Sequence, residues 1–293
     1  MKFSVATVST PQWEPAEAAR RLAGQGWDGV EWRVTDQRET TPPGFWAGNR
    51  ATWPLRDLER RLDDLARVTM EAGLEFSAIS GYVPCEDHDN VERLLVATAA
   101  LGAKQLRVAV PPVRAGDDHR EVFARARDDL AWVAARARVH GVKALVELHH
   151  RTIVASTSSA IRLVEGLDPD HVGVIHDIGN LLVEGHEDFD FAFDLLGPYL
   201  AHVHVKNGRW YETPETSEDG ARVWAFESVP LPDGQANIQS YVDALVRHGY
   251  DRWITVEDFS THQPLAERTR GNIAYLRRVL KNSLTKYGKV AHA

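Results

Sequence analysis

Short apolar runs alternate with longer amphipathic runs eight times along this chain of 293 residues. This alternation is typical of β-strands that are each followed by an α-helix, and near-continuous apolar strands indicate a parallel sheet covered by helices. Eight such units most naturally close into a single (β/α)8 TIM barrel, so the predicted fold class is α/β. An open doubly wound sheet is the alternative, but no Gly-rich phosphate loop follows any early strand. The predicted strands are 2–8, 29–34, 74–80, 105–110, 142–147, 172–177, 200–205 and 253–257.

Two predicted connections are unusually long. The connection after the second strand, residues 35–53, is rich in Pro, Gly and Thr, and the connection after the seventh, residues 206–235, has no clear periodicity. In a barrel, both would overhang the mouth, where the chemistry of this fold is found. No linker divides the chain, so we predict one barrel domain over residues 1–281, with a last helix over 264–280, and a polar C-terminal tail over 282–293.

Composition excludes several classes of protein. Hydrophobic residues make up 43% of the chain and the formal net charge is −8, which argues against a broad nucleic-acid-binding surface. The single cysteine, Cys85, cannot form an internal disulfide and is typical of a reducing compartment. The N-terminus is too briefly apolar for a secretory signal, and no apolar run is as long as a membrane span. We therefore expect a cytoplasmic protein without a nucleic-acid or membrane partner.

Four of the predicted strands carry groups that bind metals. In the strand over residues 200–205, His202 and His204 share one face because strand side chains alternate. Three other strand-like runs end in a carboxylate, namely Glu147, Asp177 and Glu257. The carboxyl ends of barrel strands meet at one rim, so these groups are expected to converge. The alternative is that each is a separate polar residue bonded to backbone amides or to Arg and Lys.

Convergence of three carboxylates needs a compensating charge. Unpaired acids at one point repel one another and raise one another's pKa values, and a divalent cation removes this conflict. A ligand set of three carboxylates and one imidazole favours Mn²⁺, Mg²⁺ or Co²⁺ over a structural zinc ion, which prefers Cys and His. The sequence thus predicts a divalent metal site at the barrel mouth.

Several short motifs resemble those of the sugar-phosphate isomerase/epimerase family of xylose-isomerase-like barrels. That family includes ketose 3-epimerases, hydroxypyruvate isomerase, inosose dehydratase and the catalytic subunits of C-glycoside deglycosidases. The resemblance extends over about residues 1–281, and it implies that the metal ligands are Glu147, Asp177, His204 and Glu257. The motifs that carry it are Gly-Val-Glu at 29–31, Leu-Gly-Ala-Lys at 101–104, Val-Glu-Leu-His at 146–149, His-Asp-Ile-Gly-Asn at 176–180, Glu-Gly at 184–185, His-Val-His-Val-Lys at 202–206 and Val-Glu at 256–257.

The resemblance also implies catalytic roles. In the ketose 3-epimerases the ligand carboxylates from the fifth and eighth strands serve as acid and base, a role that falls here on Glu147 and Glu257. Those epimerases have a substrate-binding His three residues after the aspartate ligand, where this chain has Asn180. They also carry an Arg shortly after the His ligand, to which Arg209 is a near match, offset by one position.

Further candidates follow from the residues themselves. His149 is either a general base, for which an imidazole suits neutral pH, or a hydrogen-bonding partner behind the ligands. Lys206 either polarises a substrate carbonyl or pairs with an acid at the mouth. Glu31 is expected to be a structural ion-pair partner of Arg107. Trp46, in the long connection after the second strand, is a candidate to stack on a sugar face or an aryl group, with subunit packing as the alternative.

The primary functional hypothesis is a metal-dependent isomerase or epimerase that removes the proton α to a metal-bound carbonyl of a polyhydroxy substrate. The alternative is a lyase or dehydratase that expels a β-substituent from a keto-sugar, such as cleavage of a C-glycoside of a 3-keto sugar. Nucleic-acid repair, as in endonuclease IV, needs more His ligands and a basic groove, and a catalytically silent binding subunit is hard to reconcile with an intact ligand set. Barrels of this kind are often oligomeric, so we expect an oligomer and leave a second subunit type open.

Overall fold

Eight parallel strands close into a barrel in the computed structural model, which describes residues 1–287. The ring order is β1-β10-β7-β6-β5-β4-β3-β2, and the antiparallel strands β8 and β9 form a separate hairpin. The predicted α/β TIM barrel is confirmed. The strands are β1 (Lys2–Ala6), β2 (Gly29–Val34), β3 (Glu75–Pro84), β4 (Gln105–Ala109), β5 (Lys143–Glu147), β6 (Val172–Asp177), β7 (Leu200–Val205), β8 (Asn207–Thr216), β9 (Arg222–Val229) and β10 (Trp253–Val256).

Helices connect the barrel strands and cover the ring. Their starts and stops follow local signals: Asp118 and Ser156 accept hydrogen bonds from first-turn amides, and Gly26 and Gly141 end two helices in the left-handed region. Residues 1–287 contain no helix whose length and hydropathy suit a bilayer span. The helices are α1 (Pro15–Gln25), α2 (Leu58–Glu71), α3 (His88–Ala100), α4 (His119–His140), α5 (Thr157–Val164), α6 (Ile178–Glu184), α7 (Phe189–Leu196), α8 (Ile238–Arg247) and α9 (Leu265–Tyr287).

The last helix is longer than predicted. We expected it to end near residue 280, whereas α9 continues to Tyr287. The extra turns are held by tertiary contacts, because the buried Ser283 hydroxyl donates to Asp243 on α8 at 2.6 Å and Lys286 pairs with the same carboxylate. The part of the predicted tail over residues 288–293 lies outside the described residues, and the domain boundary at residue 281 stays a prediction.

The connection after β7 is the main departure from the sequence interpretation. Residues without clear periodicity form the β8–β9 hairpin, which pairs Asn207 with Val229 at its base. Most of β8 is exposed, so the hairpin lacks the one-sided apolar pattern that marks a half-buried strand. The predicted long connections after the second and seventh strands are both present, and both lie at the carboxyl ends of the barrel strands.

The barrel interior becomes polar towards its mouth. The main apolar core lies between the ring and the helices, whereas Leu145, Ile175 and Ala201 form a small separate cluster. Leu145 and Ile175 lie two residues before Glu147 and Asp177 on the same strand faces, so this cluster lies beneath the acids. These strand ends therefore place charged groups over an apolar floor.

Candidate metal centre and active site

Four side chains converge at the carboxyl ends of neighbouring barrel strands. Glu147 ends β5, Asp177 ends β6, His204 lies in β7 and Glu257 directly follows β10. These strands are consecutive in the ring, and one oxygen or nitrogen atom from each side chain lies within 4.8 Å of the others. All four residues are buried. The structure therefore brings together the four side chains that were singled out as candidate metal ligands.

Asp177 uses its two carboxylate oxygens for different contacts. Oδ1 accepts hydrogen bonds from the backbone N–H groups of Gly179 (2.9 Å) and Asn180 (3.0 Å) and so caps α6. Oδ2 faces the cluster, where the Lys206 ammonium lies 2.5 Å away. The helix cap fixes the orientation of the carboxylate and leaves one oxygen directed at the site.

His204 contacts acids on both sides of its ring. Nε2 lies 3.0 Å from Oε2 of Glu31, while Nδ1 lies 3.3 Å from Oε1 of Glu147 and 3.8 Å from Oδ2 of Asp177. Nδ1 is buried and has no hydrogen-bond partner within residues 1–287. Burial lowers the pKa of His204, but Glu31 and Glu147 outweigh it and raise that pKa well above its ordinary value. The raised pKa means that both ring nitrogens carry a proton at neutral pH, and a bound metal ion would replace the proton on Nδ1, the nitrogen that faces the carboxylates.

Glu31 has different partners from the one we predicted. Its carboxylate contacts His204 and, at 3.4 Å, Nε2 of His202, so the expected pair with Arg107 is wrong. Arg107 lies on β4, next to β5 in the ring, and its Nε donates to Oε2 of Glu147 at 2.5 Å. Burial raises the pKa of Glu31, but His204 and His202 outweigh it and hold that pKa well below its usual range.

Glu147 is held by cations and amides. Its partners are the Arg107 guanidinium and the side-chain amide of Asn180, which donates to Oε1 at 3.2 Å. Burial raises the pKa of Glu147, but Arg107 first, then His204 and Lys206, hold it well below its ordinary value. Glu147 is therefore ionised at neutral pH.

Lys206 places a cation among the acids. It follows β7 and shares the inward face of His204, two residues earlier. Its ammonium contacts Glu257, lies 2.5 Å from Oδ2 of Asp177 and lies 3.8 Å from Oε1 of Glu147. A Cβ atom at Gly179 would collide with the Lys206 side chain, so the glycine makes this path possible. The pair with an acid, one of the two roles expected for Lys206, is present.

One lysine does not neutralise the cluster. The pKa of Asp177 is raised to about 7, because burial, with Glu147 and Glu257 adding to it, outweighs the lowering by Lys206 and His204. Burial lowers the pKa of Lys206, and the three carboxylates raise it well above its usual value. The raised pKa of Asp177 shows that the neighbouring cations do not fully compensate the burial of these carboxylates, so the site favours a further cation.

Asn180 and two histidines form one wall of the site. Asn180 is buried, and its side-chain amide donates to Glu147, to the Leu148 carbonyl at 2.9 Å and to Oδ2 of Asp177 at 3.0 Å. Its carbonyl oxygen lies 3.1 Å from Nδ1 of His150. The His149 ring stacks on His150 with 4.5 Å between centroids, and its Nδ1 bonds the His150 backbone oxygen at 2.8 Å. Asn180 thus positions the acids as well as facing the cavity.

A cavity of about 810 Å³ opens above the acids. Of the predicted substrate-binding residues, Asn180, Lys206 and Trp46 line it, together with His149. Arg209 is not among the described residues that line it, because its guanidinium pairs with Glu227 on the hairpin at 2.6 Å. Sequence reasoning missed further lining residues from β3 and from the connections after β5, β7 and β10. A histidine pair and scattered aromatics were the only signals for them. They are Tyr82, His150, Arg151, Glu227, Phe259 and His262.

The sequence profile described as xylose isomerase-like TIM barrel matches residues 19–279. The chain belongs to this family. The match covers most of the chain, from α1 to the penultimate turns of α9, and it includes all four converging residues. This agrees with the resemblance that the motifs indicated.

Similar proteins include an inosose dehydratase and a 3-keto-D-glucoside 4-epimerase. An inosose dehydratase from Lacticaseibacillus casei is 32% identical over 128 residues, an alignment that spans 42% of each protein. Among solved structures, the 3-keto-D-glucoside 4-epimerase YcjR from E. coli, in apo form, has a TM-score of 0.70 at 17% identity and covers 95% of this chain and 99% of its own. The IOLI protein with a bound zinc atom has a TM-score of 0.72 at 17% identity and covers 98% and 99%.

The structural similarities and the sequence alignment support different conclusions. At 17% identity the two solved structures show that the xylose isomerase-like fold is shared along nearly the whole chain. The alignment with the dehydratase is closer but covers less than half of either protein. The family is therefore established, whereas the reaction of this member has to be argued from its own residues.

Proposed function

We propose that this protein is a divalent-metal-dependent isomerase or epimerase that removes the proton α to the carbonyl group of a polyhydroxy substrate. The observation that carries the proposal is the convergence of Glu147, Asp177, His204 and Glu257 within 4.8 Å. The similarity in fold to a 3-keto-D-glucoside epimerase supports a sugar that carries a carbonyl group as the substrate.

The donor set fits a divalent cation. Nδ1 of His204 is buried, lacks a hydrogen-bond partner in the described part of the chain and faces the oxygens of Glu147 and Asp177. Three carboxylates with one imidazole favour Mn²⁺, with Mg²⁺ or Co²⁺ next, although the similar IOLI protein binds zinc. When bound, such a cation supplies a Lewis acid that polarises the substrate carbonyl and eases loss of the α proton.

Lys206 and a divalent cation are alternatives for the same oxygens. The ammonium of Lys206 contacts two of the four candidate ligands and lies near a third. Lys206 lines the cavity, and its flexible four-carbon side chain allows the ammonium group to move. Lys206 therefore offsets part of the negative charge of the acids when no other cation is bound, and it leaves Asp177 to bond a substrate oxygen when one is.

The chain offers three groups for proton transfer. Glu147 is kept ionised by Arg107 and is therefore in the form that can accept a proton, and Glu257, directly after β10, faces it across the cluster. His149 lies further out, in the cavity wall. We assign the removal of the α proton and its return to Glu147 and Glu257, with His149 as the third candidate.

A lyase reaction is the second candidate. It begins with the same proton removal but expels a β-substituent, as in a dehydratase or in cleavage of a 3-keto glycoside. Two observations favour it: the similarity to an inosose dehydratase, and Asn180, which bonds Glu147 and Asp177 at the position where ketose 3-epimerases bind substrate through a His. The two outcomes differ only after the proton has left.

The test combines metal analysis with isotope exchange. The purified protein is analysed for bound metal, and its melting temperature is measured with chelator and with Mn²⁺, which we expect to raise it. Free ketoses and 3-keto glycosides are then incubated with the protein in D₂O. Deuterium in recovered sugar without aglycone release supports the isomerase, and aglycone release supports the lyase.

Two variants distinguish an effect at the active site from a general effect of losing a carboxylate. Glu257→Gln should lower exchange at least about 100-fold, the usual contribution of a general acid or base. Glu215→Gln removes an exposed carboxylate on the hairpin and should leave exchange unchanged. A protein that retains no metal, gains no stability from Mn²⁺ and exchanges no deuterium would contradict the proposal.

The proposal also includes a cytoplasmic location and an oligomeric assembly. A single cysteine, buried and without a disulfide, agrees with a reducing cytoplasm. Sedimentation of the purified protein would test the expected oligomer, and co-purification from its source would test a second subunit type.

A further inference from the structure

The exposed tryptophans are all in one place. Six of the nine tryptophans are buried or half-buried, and the other three, Trp46, Trp210 and Trp224, are 54%, 36% and 54% exposed. All three exposed ones line the cavity above the acids. Large apolar side chains left open at a polar site mark a surface that a ligand or partner covers. We call these three residues, with Tyr82, Phe226 and Phe259, the aromatic arc.

The aromatic arc occupies one continuous side of the barrel mouth. Trp46 follows β2, Tyr82 lies in β3 and Phe259 follows β10, while Trp210 and Phe226 lie in the hairpin after β7. In the ring these strands are neighbours around β1, whereas the polar wall of His149, His150 and Asn180 follows β5 and β6. The cavity therefore has one side rich in aromatic rings, which also carries Glu227 and His262, and one polar side, above a common floor of carboxylates.

The arc is held in position before any ligand arrives. The Trp46 ring centroid lies 5.1 Å from that of Phe259 and 6.3 Å from that of Tyr82. On the hairpin, Trp210 packs edge-on against Phe226 at 5.6 Å, and its indole N–H donates to the Leu182 carbonyl at 2.9 Å. Trp46 and Trp210 are thus held by packed neighbours while part of each ring stays exposed, which is the arrangement of a stacking surface.

The cavity is larger than one sugar ring requires. Its volume of about 810 Å³ lies in the upper part of the range of about 300–1,000 Å³ that holds drug-sized ligands. A sugar bound by its oxygens to the acids and the polar wall leaves the space beside the aromatic arc free. The aromatic rings present several π faces to that space, so it suits a flat hydrophobic group.

We propose that the aromatic arc is a subsite for an aryl group joined to the sugar, so that the substrates are aryl glycosides rather than free sugars. This inference rests on the proposed function for the sugar end, which would lie on the carboxylates. The aryl ring would stack on Trp46 and Trp224, where exposed apolar surface is greatest. Stacking on the sugar face alone and packing of a second copy of the chain are the competing explanations.

Binding of two simple glycosides tests the subsite without turnover. Phenyl β-D-glucoside and methyl β-D-glucoside, which lack the keto group, are titrated into the full-length protein and followed by calorimetry. We expect the phenyl compound to bind at least about tenfold more tightly, consistent with aromatic stacking plus apolar burial. In Trp46→Ala and Trp224→Ala this ratio should fall towards one.

The matched control is Phe191→Ala, which removes another exposed aromatic ring, on α7 and outside the cavity lining, and should leave the ratio unchanged. Equal affinity of the wild type for both glycosides would overturn the proposal, as would equal weakening of both by Trp46→Ala. A change in oligomeric state on size exclusion without a change in the ratio would show an interface instead and would also overturn it.

Failure of the subsite and failure of the reaction give different results. A tenfold ratio in a protein that exchanges no deuterium would leave the aryl subsite standing and contradict the proposed function. Exchange on free ketoses, with no preference for the phenyl glycoside, would do the reverse. Glu257→Gln should abolish exchange while keeping the ratio.

Discussion

Glu31 and His204 form a fully buried pair in which Oε2 of the acid lies 3.0 Å from Nε2 of the imidazole. The opposite ring nitrogen, Nδ1, faces Glu147 and Asp177. An acceptor on one side of a histidine fixes the proton on that nitrogen and leaves the other free to bind a metal. Glu31 thus decides which nitrogen His204 offers to the site.

The first prediction concerns this pair. Glu31→Gln should weaken Mn²⁺ binding about 10- to 100-fold, because the amide no longer orients and polarises the His204 ring. Calorimetric titration of metal-free protein measures the effect. Glu75→Gln, an exposed acid paired with Lys2 at the other end of the barrel, is the matched control. Unchanged affinity in Glu31→Gln would show that the pair is merely structural.

The second prediction concerns Lys206. Lys206→Met should lower the melting temperature of the metal-free protein by roughly 5 °C, because Asp177 and Glu257 lose their buried cation. Saturating Mn²⁺ should then raise the melting temperature of the variant by more than that of the wild type, since the ion no longer competes with an ammonium group. Differential scanning calorimetry with and without chelator measures both shifts.

The exposed Lys104, which precedes β4 at the far end of the barrel, provides the matched control as Lys104→Met. Its melting temperature should respond to Mn²⁺ as the wild type does. A smaller metal-induced shift in Lys206→Met than in the wild type would mean that Lys206 assists rather than opposes the ion.

The third prediction concerns Arg107 and Glu147. Arg107→Met should destabilise the fold by about 3–5 kcal/mol, because it leaves a buried carboxylate without its cation. The double variant Arg107→Met/Glu147→Gln should regain part of that loss. Urea unfolding of the wild type, both single variants and the double variant gives the coupling energy directly. Strict additivity of the two changes would contradict a direct ion pair.

The fourth prediction concerns acid pH and His176. This residue is buried on the outer face of β6, where its Nδ1 lies 2.9 Å from the Tyr241 hydroxyl, and burial lowers its pKa from an ordinary 6.5 to about 3. Below pH 6.5 His176 therefore binds a proton in the unfolded chain but stays neutral in the folded protein. As a result, the free energy of unfolding falls as the pH drops. Between pH 6.5 and 4.5 the loss from this residue is about 2 kcal/mol.

His176→Gln should remove that contribution. Its free energy of unfolding should fall less steeply over this pH range than that of the wild type, in urea titrations at several pH values. His171→Gln, a half-buried histidine that precedes β6, is the matched control. Parallel pH profiles for His176→Gln and the wild type would mean that His176 is protonated in the folded state.

The sequence predicted the structure best in the buried strands and helices, where burial produces a regular pattern of apolar residues. Eight apolar runs predicted the ring, and because parallel strands end at one rim, Glu147, Asp177 and Glu257 were expected to meet. The hairpin was missed because most of β8 is exposed and β9 is mostly half-buried, so neither strand alternates between a buried and an exposed face, and its order comes from cross-strand pairs such as Trp210 with Phe226. No local pattern marks such a ribbon.

The side-chain contacts between different barrel strands could not be predicted from the sequence. Arg107 reaches Glu147 rather than Glu31 because β4 neighbours β5, a relation that depends on ring order. The position of Lys206 among the acids depends on the absent side chain of Gly179, which a single sequence does not single out. Both contacts are properties of the closed ring rather than of any one segment.

The β8–β9 hairpin satisfies its inter-strand hydrogen bonds internally and forms a sheet distinct from the ring. Substitutions in this ribbon can therefore accumulate without disturbing the strand register that holds the acids. Evolution, or an engineer who exchanges one hairpin for another, can therefore change the substrate specificity here while the residues at the strand ends stay the same.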